Sequence, residues 1–444
     1  MTLHTDQKIA LNQLVSWYRG ANMFCVLDSR AGTGKTYLVK HLLQSLNIPV
    51  LLLTPTHQAR INLENSLGNL KLFLDVESKT IDSALGIFPT TSEKDIKYEH
   101  VKLPDLWDDY EFCVIDESSQ LSQWKQELIE SIGIKILYVG HRSQLPPVEK
   151  DRPRDSLCLS PVFEKNYPTI RLSVPKRNLG KGYDFCNFLE TLIYKPEKNQ
   201  NRLVPTDFDI DRKSLFSYLN SPKGIEDLFE DQLKIIGWSN NRIDSANERI
   251  KKVLFPQSYK KPFNQKEKLI LIEPLTVVEG MARKNDKEII RATGREFTER
   301  LYSNTSLEVV YFVEQIVKLN SDLHIPVYHV AVLYGKENLQ IYILKDEKDL
   351  EKIATYYEHK AWTIKDTKLR RKAYKERNIL LSCFAKVKSF YAATAYRMQG
   401  STVAKVVVFD EDISRDLCLV QQAKTRYVAA SRHKEELFYY RGII

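Results

Sequence analysis

The stretch Ser29-Arg30-Ala31-Gly32-Thr33-Gly34-Lys35-Thr36 decides the fold. It follows the apolar run Met23 to Leu27 and precedes a helical pattern, Tyr37 to Leu46. Strand, glycine-rich turn, helix is the context of a phosphate-binding loop. Glycines let backbone N–H groups curl around phosphate oxygens, a lysine reaches the β/γ-phosphates, and a hydroxyl holds Mg²⁺. Ala31, Gly32, Thr33, Gly34, Lys35 and Thr36 are therefore candidate nucleotide-binding residues, with Thr36 a candidate metal ligand. Ser29 stands where the loop formula opens with Gly, which would make the turn without strain. The competing reading is a chance glycine turn before an ordinary helix.

Working outward, short apolar runs alternate with helical patterns over the first ~170 residues, which predicts a parallel α/β sheet. Expected strands are Met23–Asp28, Pro49–Thr54, Phe112–Ile115 and Ile134–Gly140. They are near-continuously apolar, as strands buried on both faces are. Ligands gather at the carboxyl ends of such strands. Asp116-Glu117 stands at one end: an aspartate there holds Mg²⁺, and a glutamate orients and deprotonates water. Gly140-His141-Arg142-Ser143-Gln144-Leu145-Pro146-Pro147 stands at the next. Gln144 is placed to sense the γ-phosphate and position the attacking water.

The polar stretch from Pro89 to Lys102 reads as a hairpin inserted between sheet strands. An α/β pattern resumes at Leu233, and residues 266–344 turn strand-rich. Residues 346–378 are charged and helical, and strands return at Lys405–Phe409 and Leu437–Tyr440. Two α/β domains, each carrying an insert, account for this order.

Sixty-six Lys plus Arg against 57 Asp plus Glu give a formal +9, an excess that favours a polyanionic partner. Six scattered cysteines, none at C-x-x-C spacing, predict neither a zinc site nor a disulfide framework and fit a reducing compartment. No run of 18 apolar residues predicts a membrane span.

Taken in order, the short motifs resemble those of superfamily 1 helicases. Gln7 matches the adenine-reading Q motif, Ser29–Thr36 motif I, Thr54 to Ala59 motif Ia, and Thr80-Ile81 the next. Asp116-Glu117 matches motif II, Gly140–Pro147 motif III, and Leu172 to Arg177 motif IV. Thr394 to Ser401 resembles motif V and Tyr427 to Arg432 motif VI. The series runs from residue 7 to residue 432, and the chain is most similar to the 5′→3′ branch, superfamily 1B.

The resemblance implies two RecA-like P-loop domains, residues 1–86 with 104–174 and 175–258 with 386–444. It also implies a hairpin insert at 87–103 and an SH3-like barrel with a charged helical extension at 259–385. Implied further are catalytic roles for Lys35, Asp116, Glu117, Gln144, Arg177 and Arg432, with Gln7 and Gly400 beside the nucleotide. Mg²⁺ on Thr36 and Asp116, and ATP as the fuel, follow from the same likeness. Single-stranded and fork DNA is the implied partner, touched by Thr56, His57, Thr80, Trp238, Asn240, Thr394 and Tyr396. Tyr98 is expected at or near the hairpin tip, as a wedge. A cytoplasmic monomer, working beside a single-strand-binding protein or other replication proteins, completes the expectation. Three departures from the family pattern stand out: Ser29, His141 for an acidic residue in motif III, and Tyr396-Arg397 for His-Lys in motif V. An RNA-directed or non-unwinding translocase, and a non-catalytic binding module, remain open on the sequence.

Overall fold

The computed structural model describes residues 3–442, apart from 31, 69–73, 92–95, 101–104, 148–158, 173, 175–180, 197–203, 279–281, 285–286, 290–296, 302 and 320–322. Two compact units form: Met1–Ala246 with Ala392–Ile444, and Asn247–Tyr391.

In the first unit, α1 (Thr5–Arg19) buries Gln7, Ala10, Leu14 and Trp17, a stripe at helical spacing. It precedes β1 (Phe24–Ser29), α2 (Lys35–Leu46), β2 (Val50–Thr54), α3 (His57–Leu67), β3 (Val76–Thr80) and α4 (Ile81–Ala84). A hairpin of β4 (Ile87–Thr91) and β5 (Ile96–His100) follows, then β6 (Phe112–Ile115), α5 (Gln123–Glu130), β7 (Lys135–Gly140), α6 (Pro161–Glu164) and β8 (Thr169–Leu172). The six-stranded sheet runs β3-β2-β6-β7-β1-β8, and its paired strands are all parallel. Both faces are covered. Leu38 and Leu42 of α2 pack with Cys25, Leu27 and Val114 on one side. Ile81, Trp107 and Leu121 pack with Ile115 and Tyr138 on the other.

Next comes α7 (Lys181–Tyr194), then a second parallel sheet of order β19-β9-β20-β21. Its strands are β9 (Leu233–Gly237), β19 (Ala392–Thr394), β20 (Val403–Phe409) and β21 (His433–Tyr440). The Leu419–Ala430 helix is buried along most of its length. α7 belongs with this sheet, since Phe185 meets Tyr439 of β21 edge-on at 5.5 Å. Two parallel RecA-like sheets, each with inserted elements, therefore make the architecture.

The second unit stands on its own cores. A five-stranded antiparallel sheet runs β17-β16-β15-β10-β18, built from β10 (Lys268–Leu271), β15 (Ser306–Lys318), β16 (His324–Tyr334), β17 (Glu337–Leu344) and β18 (Val387–Ser389). Two small pairs accompany it: β11 (Leu275–Val278) with β14 (Phe297–Leu301), and β12 (Ala282–Lys284) with β13 (Lys287–Ile289). Phe263, Leu271, Val309, Val330 and Ile341 share one cluster. The helices Lys348–Thr363 and Thr367–Leu381 contribute Ile353 and Leu380 to another, with Val317 and Ile325. β15 runs on past the mostly apolar stretch Leu307–Val313 to Lys318: Glu314 and Gln315 interrupt the apolar run, but this part of the strand is largely open to solvent, with Tyr311, Val313 and Ile316 exposed.

Candidate nucleotide and nucleic-acid site

The loop after β1 turns through Gly32 (φ +78°) and Gly34 (φ +88°), left-handed values that favour glycine. Ser29 has no positive φ, so the turn needs no glycine there. Its buried hydroxyl pairs instead with Thr33 Oγ1. Gln7 reaches this loop from α1: its Nε2 donates to Thr33 O at 3.3 Å, while its Oε1 accepts from His4 N.

Lys35 opens α2, and its Nζ donates to the carbonyls of Ser29 (2.9 Å) and Arg30 (3.1 Å). Burial lowers its pKa, against the nearby charges of Glu117 and Asp116. Burial, and then the Glu117 carboxylate, push Asp116 well above the usual carboxylate range. Two carboxylates crowded beside one half-buried lysine suit a divalent cation, which would relieve their repulsion. A hard cation of this kind takes few protein ligands when phosphate and water supply the rest. No group of three His, Cys, Asp or Glu side chains converges among the described residues. The residues present thus fit Mg²⁺.

Glu117 has φ +51°, uncommon for a side-chain-bearing residue outside glycine. Its Oε2 accepts from Gln144 Nε2 at 2.9 Å, and Gln144 Oε1 accepts from Ser119 Oγ at 2.9 Å. The other sheet's elements complete this cluster. Gln399 Nε2 donates to Ser119 Oγ at 2.9 Å, and Asn62 Nδ2 to Gly400 O at 3.2 Å. A Cβ on Gly400 would lie 3.7 Å from Glu117 Cγ. Arg432, 3% exposed, bonds to Val428 O, Ser431 Oγ and Ser401 O, and its charge is felt at Lys35.

Gln7, Thr33, Lys35, Asp116, Glu117, Gln144, Gly400 and Arg432 therefore meet in one region, with Gly32, Gly34 and Thr36 in the loop and helix start beside them. Ala31 and Arg177 lie outside the described residues.

The candidate DNA residues sit elsewhere, at the ends of β2, β3, β9 and β19. Thr56, Thr80 and Thr394 are helix N-caps, accepting from Ala59 N, Ser83 N and Arg397 N. His57 is buried beside Arg60; burial, then the Arg60 charge, brings its imidazole down to about 4. Trp238 is half-buried, and with Ser239 its backbone N–H points at Asp412 Oδ2 (2.7 and 2.8 Å). Asn240 is exposed, and Tyr396 accepts from Gln421 Nε2 at 2.6 Å through its hydroxyl. Tyr98 stands opposite Pro89, third in β5, so it is mid-strand and not at the hairpin tip. Its side chain, like the tip residues 92–95, lies outside what is described.

Sequence reasoning gave no role to Asp28, Arg30, Asn187, Glu190, Ser119 or Gln399. Tyr183, Asn187 and Glu190 share one face of α7 at i, i+4 and i+7, a polar stripe that marks a contact surface.

The AAA domain family matches residues 2–177. Along its whole length the chain is 25% identical to the ATP-dependent DNA helicase dda of Enterobacteria phage T4, covering 98% of this chain and 99% of that one. A Bacteroides Pif1 helicase, solved with ADP-AlF3 and single-stranded DNA, superposes at TM-score 0.55 with 16% identity, over 100% of this chain and 93% of that one. A Pif1 helicase from a study of unwinding at forked double-stranded DNA gives TM-score 0.52 with 15% identity, again over 100% and 93%. By sequence the chain is similar along its whole length to the phage helicase Dda, and it shares its fold with the Pif1 helicases.

Proposed function

We propose that this chain is an ATP-driven motor that moves 5′→3′ along single-stranded DNA and parts duplex strands. The observation that carries the reading is the meeting of two sheets at one hydrolytic cluster: Gln399 and Gly400 from one touch Ser119 and border Glu117 from the other. Residues 1–86 with 104–174 serve as one lobe and 175–258 with 386–444 as the other. The 87–103 hairpin and the 259–385 segment are their inserts.

Lys35 leaves the Ser29 and Arg30 carbonyls for the phosphates, together with the loop amides. Gln7 steadies the loop and reads the base. Thr36 and Asp116 would hold Mg²⁺, whose chemistry when bound would be to offset negative charge on the phosphoryl oxygens. Glu117, positioned by Gln144, takes the proton of the attacking water. Arg432, with Arg177, stabilises charge on the transferring group, a contribution of roughly 10³–10⁵ in rate for arginines of this kind. Since these arginines come from the second lobe, hydrolysis requires the lobes to engage, and product release frees them.

The topology supports a division of labour. Phosphate chemistry occupies the ends of the adjacent strands β1, β7 and β6, whereas Thr56, His57 and Thr80 end the neighbouring β2 and β3. Trp238, Asn240, Thr394 and Tyr396 follow the paired strands β9 and β19. A strand held there by phosphate contacts and stacking needs no sequence preference. Tyr98 and its hairpin meet the duplex.

The test is ATP-dependent strand separation on matched duplexes with a 5′ or a 3′ tail. Unwinding of the 5′-tailed duplex alone is the expected result. Unwinding of only the 3′-tailed duplex overturns the direction. ATP hydrolysis with neither unwound, or with RNA as the better activator, overturns the DNA-unwinding reading.

A further inference from the structure

Glu190 is 5% exposed on α7, yet the hydrolytic reading gives it no part. Its Oε1 accepts from His141 Nε2 (2.9 Å) and Ser143 Oγ (2.6 Å), and its Oε2 lies 2.6 Å from Arg30 Nε. Arg30 also donates to Asn187 Oδ1 at 2.7 Å. One face of α7, packed on the second sheet, thus grips the phosphate loop and the Gln144 loop at once.

His141 is the centre of the grip. Its Nδ1 is 2.9 Å from Asp28 Oδ1 at the end of β1, and its Nε2 faces Glu190. Each carboxylate is favoured in its ionised form by its partners. Against the burial that would raise it, the hydrogen bond and charge of His141, then Arg142, bring Asp28 down to about 2. Glu190 is likewise lowered against burial by His141, Ser143 and Arg30. Ionised carboxylates only accept, and a neutral imidazole has one N–H. Two contacts of 2.9 Å therefore require the imidazolium, with a proton on each nitrogen.

Further charged and titratable groups face this pair from the elements packed around it. Arg142 Nε holds Asp28 Oδ2 at 2.6 Å, and Arg171 of β8 lies 3.8 Å from the same oxygen. Tyr427, whose ring is 5.9 Å away, is pushed well above its ordinary value by burial, and Tyr194 of α7, bonded to Ser143, is raised by burial too. Arginines keep their charge across this range.

We propose that His141 and Glu190 form a proton-dependent latch between the lobes. They are positioning residues: engaged, they set the phosphate loop and, through Ser143, the Gln144 loop for hydrolysis. An imidazole with one proton fewer can make only one of the two contacts, which loosens the latch, so turnover falls toward high pH. This rests on the motor reading given above.

Two measurements test it on the full chain. ¹⁵N-histidine NMR at pH 6 to 7, with His141→Gln assigning the signal, is expected to show both ring nitrogens protonated, and Glu190→Gln is expected to abolish that signature. A singly protonated His141 overturns the latch. Steady-state ATP hydrolysis with saturating single-stranded DNA from pH 5.5 to 9 is the second. Wild type is expected to lose about tenfold in kcat toward high pH, the worth of one charge-assisted hydrogen bond, with KM for ATP little changed. In His141→Gln and Glu190→Gln the dependence is expected to flatten at the high-pH level, with unchanged far-UV circular dichroism. Retention of the wild-type pH limb in both variants overturns the proposal. Wild type without DNA-stimulated hydrolysis overturns the motor reading instead, and the NMR signature then still decides the latch.

Discussion

Lys35 shows how one side chain waits for its ligand. Half-buried, it is held by two carbonyls of its own loop, neutral acceptors that anionic phosphate oxygens outcompete. Lys35→Ala is expected to lower ATP hydrolysis by about a hundredfold or more while the fold persists, as removal of one preorganised charge-stabilising donor does. Phosphate release in a coupled assay, beside circular dichroism, checks this. His57 makes the opposite point. With its folded pKa near 4, it is neutral at pH 7, so in its proposed DNA-binding role it would act by stacking or hydrogen bonding, not as a cation. The unfolded chain takes up this proton below about 6.5, whereas the folded chain takes it up only near 4. The stability it contributes is thus complete above about 6.5 and is lost as pH falls through that window. His57→Gln is expected to flatten the unfolding free energy between pH 4 and 6.5 by up to about 3 kcal/mol. Urea titrations across that range read it out.

At the scale of elements, the turn after β9 is fixed from a distance in sequence. Asp412, fully buried, accepts from Trp238 N, Ser239 N and Ser239 Oγ at 2.6–2.8 Å. Its charge also faces the start of the Asn240–Leu254 helix, where the dipole favours it. Gly237 must stay small, because a Cβ would come within 2.7 Å of Asp412 Oδ2. Asp412→Ala leaves these donors without a partner, and about 2–4 kcal/mol of stability is expected to go with it. Guanidinium unfolding measures the loss. Single-stranded DNA affinity is expected to fall with it if the Trp238 turn grips the strand, while Asp412→Asn keeps part of both.

The whole molecule divides where its cores divide. Residues 247–391 form one continuous stretch whose two apolar clusters lie within it. Enough core, and no strand severed among the described residues, though the Asn240–Leu254 helix loses its first turns, predict that this segment, expressed alone, folds cooperatively. A single thermal transition by circular dichroism and a dispersed NMR spectrum are the expected results; a broad, non-cooperative melt contradicts them. No helix among the described residues is long and apolar enough to cross a membrane.

What the sequence determined by itself is local or covered on both sides. The buried strands β1, β2, β6 and β7 announce themselves as apolar runs, and the glycine loop and the acidic pair at their ends are read from neighbours in the chain. Edge strands escaped: β3 is Val-Glu-Ser-Lys-Thr and β8 alternates exposed with buried, because an edge buries less and needs fewer apolar residues. The latch escaped for another reason. Asp28, His141 and Glu190 are far apart in the chain, and only the packing of α7 across the seam brings two carboxylates to one imidazole. Spacing reports which face a residue takes on its own element; which charge awaits it there is settled only when the elements pack.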